Sequence, residues 1–101
     1  KQPSAWFCLN DGYAYFVCSS LKKLGYDIPG DISVSGFDNS HFSQMSVPKI
    51  TTTDIDRDLF ARVAVEQLLR RLDRPDGARL EVLLPTTLIV RESTGPWRGD
   101  A

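Results

Sequence analysis

The sequence has little of what metal, phosphate or membrane chemistry requires. Its 101 residues include one histidine and two cysteines, and the net charge is −1. Cysteine and histidine spacing suited to zinc is absent, and without a basic excess the chain has no charge for general phosphate binding. No apolar run approaches the length that a membrane span needs. The sequence therefore predicts no metal, no cofactor and no membrane association.

The beginning of the chain also lacks the features of a leader peptide. Lys1 to Ser4 lead directly into the apolar run Ala5 to Leu9, with no initial methionine and no small-residue cleavage site. Such a start is typical of a segment of a longer protein. It therefore says little about targeting of the whole protein.

The two cysteines fall at apolar positions of a predicted strand and a predicted helix. Cys8 lies in the run Ala5 to Leu9, and Cys18 lies in the amphipathic segment that follows. We expect small buried hydrophobic side chains in a reducing compartment. A disulfide between them stays open, although their spacing does not support one.

The first third of the sequence predicts a strand, a helix and a second strand. The apolar run Ala5 to Leu9 suits a strand covered on both faces. Asn10 or Asp11 is a suitable N-cap for a helix that Gly25 ends, and Ile32 to Gly36 forms the next strand. Two strands joined by a helix in this way lie parallel in one sheet.

The remaining sequence predicts a second helix and further extended segments. His41 to Lys49 is polar and irregular, and Pro48 prevents a helix through it. Ile50 to Thr53 favours a strand, and Asp56 caps a helix that reaches Arg74. Leu80 to Val90 favours strand structure, but Pro85 limits it to two short strands or one edge strand.

Polar residues follow both predicted parallel strands where ligands usually bind. Asn10 and Asp11 follow the first strand, and Phe37, Asp38 and Asn39 follow the second, at the same sheet edge. Helix capping and binding are both open for Asn10 and Asp11, and Asp38 could form an Asx turn. A carboxylate beside a ring, however, suits the hydroxyls and apolar face of a sugar or the ring of a base.

Enzyme chemistry has little support in this sequence. The single histidine, His41, lies in a polar loop, where a surface or interface role is the simpler interpretation. No glycine-rich phosphate loop follows either strand, and no nucleophile with an adjacent base can be assembled. We therefore expect a binding protein that is not an enzyme.

Five motifs in order make the sequence resemble a known family. They are Asn10-Asp11-x-x-Ala14, Leu24-Gly25-Tyr26-x-Ile28-Pro29, Asp31-Ile32-Ser33-Val34-x-Gly36-Phe37-Asp38-Asn39, Pro48-x-Ile50-Thr51-Thr52 and Leu84-Pro85-x-x-Leu88-Ile89-Val90-Arg91-x-Ser93-Thr94. The sequence is similar to the C-terminal part of the effector domain of the lactose-repressor/galactose-repressor family of bacterial transcription regulators.

The resemblance implies an α/β fold of the periplasmic-binding-protein type, a three-layer αβα sandwich with a parallel sheet, present here as an incomplete fragment. Residues 1–94 would belong to the effector-binding and dimerisation domain, and residues 95–101 would be a tail unless Trp97 docks it. The implied effector is a small molecule, a sugar or a purine-like compound. The implied effector-binding residues are Asp38, Asn10, Asp11 and Phe37, with Asp11 more suited to a cap or an indirect role.

The resemblance also implies a homodimer, operator DNA bound by a helix-turn-helix head outside this chain, and a cytoplasmic location. The implied dimer-interface residues are Tyr15, Cys18, Ser19, Lys22, Phe42 and Met45. A periplasmic sugar-binding transport receptor of the same fold is the alternative, which the motif ending in Ser93-Thr94 disfavours.

Two positions depart from the family pattern. Ile55 falls where several members carry a polar ligand contact, and Ala61 replaces a common glycine. The helix from Asp56 to Arg74 would also lack its family neighbours. We expect it to pack on a partner chain or to fold back, and an exposed apolar stripe would count against this.

Overall fold

The computed structural model describes residues 2–99, which form two compact units. The first unit contains the residues up to Asp54 and those from Thr87 onward, and the second contains Ile55–Thr86. The elements in chain order are β1 (Ala5–Phe7), α1 (Asp11–Lys23), β2 (Ser33–Ser35), α2 (His41–Met45), β3 (Thr52–Ile55), α3 (Arg57–Asp73) and β4 (Thr86–Ile89).

The predicted strand–helix–strand arrangement is confirmed. β1 and β2 pair in parallel, with Trp6 opposite Val34 and Phe7 opposite Ser35. Ser35 also forms a parallel bridge with Thr51, just before β3. The first unit therefore has a parallel core to which three chain segments contribute.

Helix α1 closes one side of this core. Its N-cap is Asn10, whose Oδ1 accepts a hydrogen bond from Tyr13 N at 2.9 Å, and Gly25 follows it with φ 89°. The buried apolar residues of this unit form one cluster: Cys8, Ala14, Cys18, Leu21, Ile28, Ile32, Val34 and Ile50. Both cysteines are free thiols inside it, so no disulfide joins them.

The segment after β2 is more regular than the sequence predicts. His41–Met45 forms the short helix α2, in which buried Ser43 donates its hydroxyl to the carbonyl oxygen of Ser40 at 2.6 Å. Pro48 lies beyond the end of this helix, so its ring does not interfere. The expectation of an irregular segment is therefore wrong for these five residues.

Helix α3 forms most of the second unit. Asp56 caps it as predicted and accepts from Leu59 N at 3.0 Å. None of its residues is buried. The large apolar side chains of its stripe are exposed in this single chain, and packing on a partner chain or folding back stays a prediction.

The α/β class is confirmed, whereas the three-layer sandwich stays a prediction for the complete domain. Within residues 2–99 the strands form two sheets of two strands, β1 with β2 and β3 with β4. Between Leu80 and Val90 only Thr86–Ile89 is a strand. No helix in the described residues has the length and apolar character that a membrane span requires.

The start of the predicted tail, at Gly95, is hydrogen-bonded to β2. Gly95 N donates to Ser33 Oγ at 3.1 Å, whereas the side chain of Trp97 is 73% exposed and does not dock. Residues 100 and 101 of the predicted tail, and residue 1 of the predicted domain, lie outside the described residues. The domain boundary after residue 94 stays a prediction.

Candidate effector site at the strand ends

The ends of β1 and β2 lie side by side, as the sequence predicts. Asp11 N donates to the carbonyl oxygen of Phe37 at 3.1 Å, and Asp38 N donates to the carbonyl oxygen of Thr53 at 2.9 Å. The polar residues that follow the two strands therefore meet at one edge of the first unit.

Asp11 lies behind this edge, not on it. Its side chain is fully buried, and its two carboxylate oxygens accept from Ser40 N and from Thr52 Oγ1, each at 2.6 Å. A buried carboxylate that holds two segments in this way orients its neighbours. Asp11 therefore supports the site from behind, which agrees with an indirect role.

Gly36 allows the close approach of β2 to Asp11. A Cβ at position 36 would overlap Asp11 Oδ1, and it would lie 3.1 Å from Asp11 Cα and 3.3 Å from Ala14 Cβ. Only glycine leaves room here for the buried carboxylate.

Asp38 and Asn10 line a common cleft of about 450 Å³. The cap of α1 uses Asn10 Oδ1, so the Nδ2 donor of this amide is not required by the helix. Asp38 contributes a carboxylate acceptor. Asn10 and Asp38 are therefore brought together as predicted, whereas Phe37 is half-buried and does not line this cleft.

The backbone at Asp38 and Asn39 takes an uncommon conformation. Asp38 has φ 88° and Asn39 has φ 50°, both in the left-handed region that favours glycine. Asn39 is held there by its side chain, which donates to Asp54 Oδ1 at 2.9 Å and accepts from Arg91 Nη2 at 2.8 Å. Strained backbone of this kind concentrates at functional sites.

Arg91 and Ser93 form hydrogen bonds that hold the chain segments next to the cleft, a role that sequence reasoning missed. Arg91 Nη1 donates to the carbonyl oxygen of Ile50 at 3.1 Å. Ser93 is fully buried, and its Oγ accepts from Thr51 N at 2.8 Å and donates to the carbonyl oxygen of Val34. Their position in the last motif was the available signal.

Aromatic side chains form much of the cleft wall, and sequence reasoning missed most of them. The cleft is lined by Asn10, Gly12, Tyr13, Phe16, Asp38, Ser40, His41 and Phe42. The signal was present in α1, where Tyr13 and Phe16 follow the capping Asn10 at a helical spacing of three residues. His41, assigned to a surface or interface role, lies on this wall.

The predicted dimer residues differ in their surroundings. Tyr15 packs on Phe42 with ring centroids 5.6 Å apart, and Lys22 Nζ donates to the carbonyl oxygen of Val47 at 2.9 Å. Met45 is exposed and Ser19 half-buried, whereas Cys18 is only 1% exposed and belongs to the core. Burial raises the pKa of the Cys18 thiol, although a hydrogen bond with Ser46 opposes this. Cys18 therefore presents no surface to a partner.

The described residues give no sign of a metal site or of a reactive thiol. No group of three or more metal-ligating side chains occurs within residues 2–99. Burial also raises the pKa of the Cys8 thiol, which disfavours the reactive thiolate. The polar groups that line the cleft include the Asp38 carboxylate and the Asn10 amide.

The known proteins that this chain resembles belong to one family. Residues 1–94 match the periplasmic binding protein-like domain. The transcriptional repressor PurR of Mannheimia succiniciproducens is 33% identical over 92 residues, and the NTD biosynthesis operon regulator NtdR of Bacillus subtilis is 36% identical over 94 residues. These matches cover 91% and 92% of this chain but 28% and 29% of the relatives, so the chain spans less than a third of their length.

Solved structures agree with the sequence relatives. A LacI family transcriptional regulator from Enterococcus faecium with bound ribose has a TM-score of 0.79 and 30% identity, over 97% of this chain and 36% of that one. The lac repressor dimer bound to operator and the anti-inducer ONPF has a TM-score of 0.78 and 30% identity, over 91% and 32%. These similarities support the regulator interpretation over a transport receptor. The chain belongs to the family of periplasmic binding protein-like domains, among the lactose-repressor/galactose-repressor regulators that its motifs resemble.

Proposed function

We propose that the chain is the C-terminal part of the effector-binding domain of a bacterial transcription regulator, and that Asp38 and Asn10 bind its small polar effector. The observation that supports this is the shared cleft, in which the Asp38 carboxylate and the Asn10 amide follow two parallel strands. The carboxylate accepts from ligand hydroxyls, and Asn10 Nδ2 donates to a ligand oxygen or ring nitrogen. Each hydrogen bond to a charged group contributes about 1.5–3 kcal/mol.

The effector is a sugar or a purine-like compound. The similar regulator from Enterococcus faecium carries ribose, which supports a hydroxyl-rich ligand. The Asp11 carboxylate orients Ser40 by accepting a hydrogen bond from its backbone N. Phe37 lies between β2 and Asp38. Within this proposal, Asp38 and Asn10 make the direct contacts.

The effector acts by shifting an equilibrium between two states of the domain. A ligand can do this only through different affinities for the two states. Operator DNA binds to a helix-turn-helix head outside these 101 residues, and the chain itself carries no basic excess for DNA. A regulator of this kind acts in the cytoplasm and catalyses no reaction.

The regulator works as a homodimer to which α1 and α2 contribute. Tyr15 and Phe42 join the two helices, and the interface further includes Ser19, Lys22 and Met45. Cys18 supports this surface from the core. The exposed side chain of Met45 suits an adaptable apolar contact.

The exposed stripe of α3 is covered by the remainder of the effector domain. Large apolar side chains exposed on this helix are Phe60, Val65, Leu68, Leu69 and Leu72. Several large apolar side chains exposed on one helix are typical of a surface that is covered in the complete protein. The relatives have more than twice as much chain outside the matched region as within it, enough to provide the cover.

Calorimetric titration of the native-length protein with ribose, glucose and adenosine tests this function. At least one compound should bind, and Asp38→Asn should weaken that binding roughly tenfold to hundredfold. Asp76→Asn is the matched control, because Asp76 is exposed and lies in the second unit. Unchanged binding by Asp38→Asn would contradict the proposal, as would the absence of any effect of the bound compound on operator affinity.

A further inference from the structure

We infer that Asn39 is a positioning residue, which joins the loop that carries Asp38 to the two segments by which the chain passes between its units. This loop, residues 36–40 between β2 and α2, is called the effector loop below. The inference rests on the proposed function, because it assigns to Asn39 the transmission of effector binding at Asp38. Asn39 itself does not line the cleft.

Within residues 2–99 the chain passes between the two units at two places, and both lie inside strands. The first passage follows Asp54 in β3, and the second precedes Thr87 in β4. β3 and β4 are neighbours in one two-stranded sheet. Hinges are a few residues that absorb changes in backbone torsion. A displacement of one unit against the other therefore involves the backbone of β3 and β4.

The side chain of Asn39 is bonded to the chain at both passages. Its Nδ2 donates to Asp54 Oδ1 at 2.9 Å, directly at the first passage. Its Oδ1 accepts from Arg91 Nη2 at 2.8 Å, and Arg91 follows the end of β4. Arg91 Nη1 also donates to the carbonyl oxygen of Ile50, ahead of β3, at 3.1 Å. One amide thus connects the effector loop with β3 and with the segment after β4.

This connection begins one residue from the proposed effector contact. Asp38 N donates to the carbonyl oxygen of Thr53 at 2.9 Å, and Asn39 N donates to Thr52 Oγ1 at 3.3 Å. Together with the bond to Asp54, three hydrogen bonds join the effector loop to β3. A displacement of Asp38 towards a bound effector is therefore passed to the strand in which the first passage lies.

The residue type at position 39 agrees with this role. A φ of 50° suits glycine, and asparagine is one of the few other residues that adopt the left-handed region readily. Glycine would supply no side-chain hydrogen bond, and aspartate would supply no donor for the Asp54 carboxylate. Asparagine supplies a donor for Asp54 and an acceptor for Arg91, and both are used.

We expect these hydrogen bonds to persist when the effector binds, so that the effector loop, β3 and the segment after β4 move together. Without them, Asp38 still binds the effector, but the loop adapts to it without displacing β3. The effector then binds the two states of the domain with more similar affinities. It therefore shifts their equilibrium less.

Asp54→Ala tests the inference in the native-length protein. The probes are whichever of ribose, glucose and adenosine binds, and a DNA duplex that the unmodified protein selects from a random pool. The coupling factor is the ratio of duplex affinities without and with saturating compound. Asp54→Ala should bring this factor about fivefold closer to one. The calorimetric affinity for the compound should change less than about threefold, because Asn10 and Asp38 remain.

Reversing the hydrogen-bonded pair separates coupling from stability. Asn39→Asp alone should lower the coupling factor, because it places two carboxylates against each other. Asn39→Asp combined with Asp54→Asn should restore it, since the new asparagine donates to the new aspartate, which still accepts from Arg91. Asp31→Ala is the matched control: Asp31 also accepts a hydrogen bond, from Asp27 N at 2.8 Å, but lies before β2. Its coupling factor should equal that of the unmodified protein.

The contrary outcomes are distinct. An unchanged coupling factor in Asp54→Ala, with or without a fall in unfolding free energy, would overturn the inference and leave the proposed function standing. A reversed pair that couples no better than Asn39→Asp, or an equal loss in Asp31→Ala, would also overturn it. No binding of the three compounds, or no effect of a bound compound on the duplex affinity of the unmodified protein, would overturn both.

Discussion

The buried carboxylate of Asp11 accepts a hydrogen bond from the hydroxyl of Thr52, 2.6 Å away and 41 residues later in the chain. The same carboxylate accepts from Ser40 N at 2.6 Å. One side chain at the start of α1 thus fixes both the loop after β2 and the start of β3. The cleft that contains Asn10 and Asp38 is built on this connection.

Asp11→Ala should destabilise the protein by about 3 kcal/mol, because it leaves two buried donors without their acceptor. Urea-induced unfolding followed by circular dichroism measures the loss. Asp76→Ala, at an exposed position, should change stability by no more than about 0.5 kcal/mol. If the two variants lose similar amounts of unfolding free energy, the hydrogen bonds of Asp11 contribute little to stability.

The folded protein should be more stable with glycine than with alanine at position 38. The φ of 88° at Asp38 suits glycine and strains any residue with a Cβ. Both Asp38→Gly and Asp38→Ala remove the carboxylate, so their difference isolates the backbone effect. We expect Asp38→Gly to be more stable than Asp38→Ala by about 1 kcal/mol in urea unfolding. Equal stability would mean that the backbone at Asp38 relaxes without cost.

The two cysteines should make stability depend on alkaline pH. Burial raises the pKa of Cys8 and Cys18 above the ordinary value of 9.0. The folded protein therefore keeps thiol protons that the unfolded chain releases. The associated stability is present below pH 9.0 and is lost as the pH rises through the raised folded values.

Urea midpoints at pH 7 and pH 10 measure this loss. A protein with both Cys8→Ala and Cys18→Ala should lose less stability over the same interval, because its core has no thiol to ionise. If this variant and the unmodified protein lose the same stability between pH 7 and pH 10, the loss comes from titrating groups other than the two thiols.

The apolar face of α3 should contribute to unfolding stability only in the native-length protein. Leu68 and Leu72 are 58% and 68% exposed in this chain, so Leu68→Glu and Leu72→Glu should leave the unfolding of the 101-residue chain almost unchanged. In the native-length protein each should cost about 2 kcal/mol, as expected for a leucine that is covered. An equal cost in both proteins would contradict the proposed cover.

Local sequence patterns predicted the elements whose causes are local. The apolar run Ala5 to Leu9, the cap at Asn10 and the glycine at position 25 determine β1 and α1, and Asp56 marks the start of α3. The meeting of Asn10 and Asp38 followed from the parallel pairing of β1 and β2 alone.

The remaining features depend on contacts that sequence spacing does not encode. Asp11 becomes a buried connector because Thr52 and Ser40 approach it from distant segments. Helix α2 is five residues long, too short for an apolar period to be recognised. Likewise, the aromatic wall appears only when α1 and α2 bring Tyr13, Phe16 and His41 to one cleft.

In the proposed site, Asn10 and Asp38 contact one effector together. The most direct measurement is a nuclear magnetic resonance titration of the native-length protein with ribose and with adenosine, followed at Asn10 Nδ2 and Asp38 N. We expect both signals to shift along one saturation curve for at least one compound. Asn39 Nδ2, which is hydrogen-bonded to Asp54, should shift much less. Binding that leaves Asn10 and Asp38 unmoved, or no binding of either compound, would contradict the proposed site.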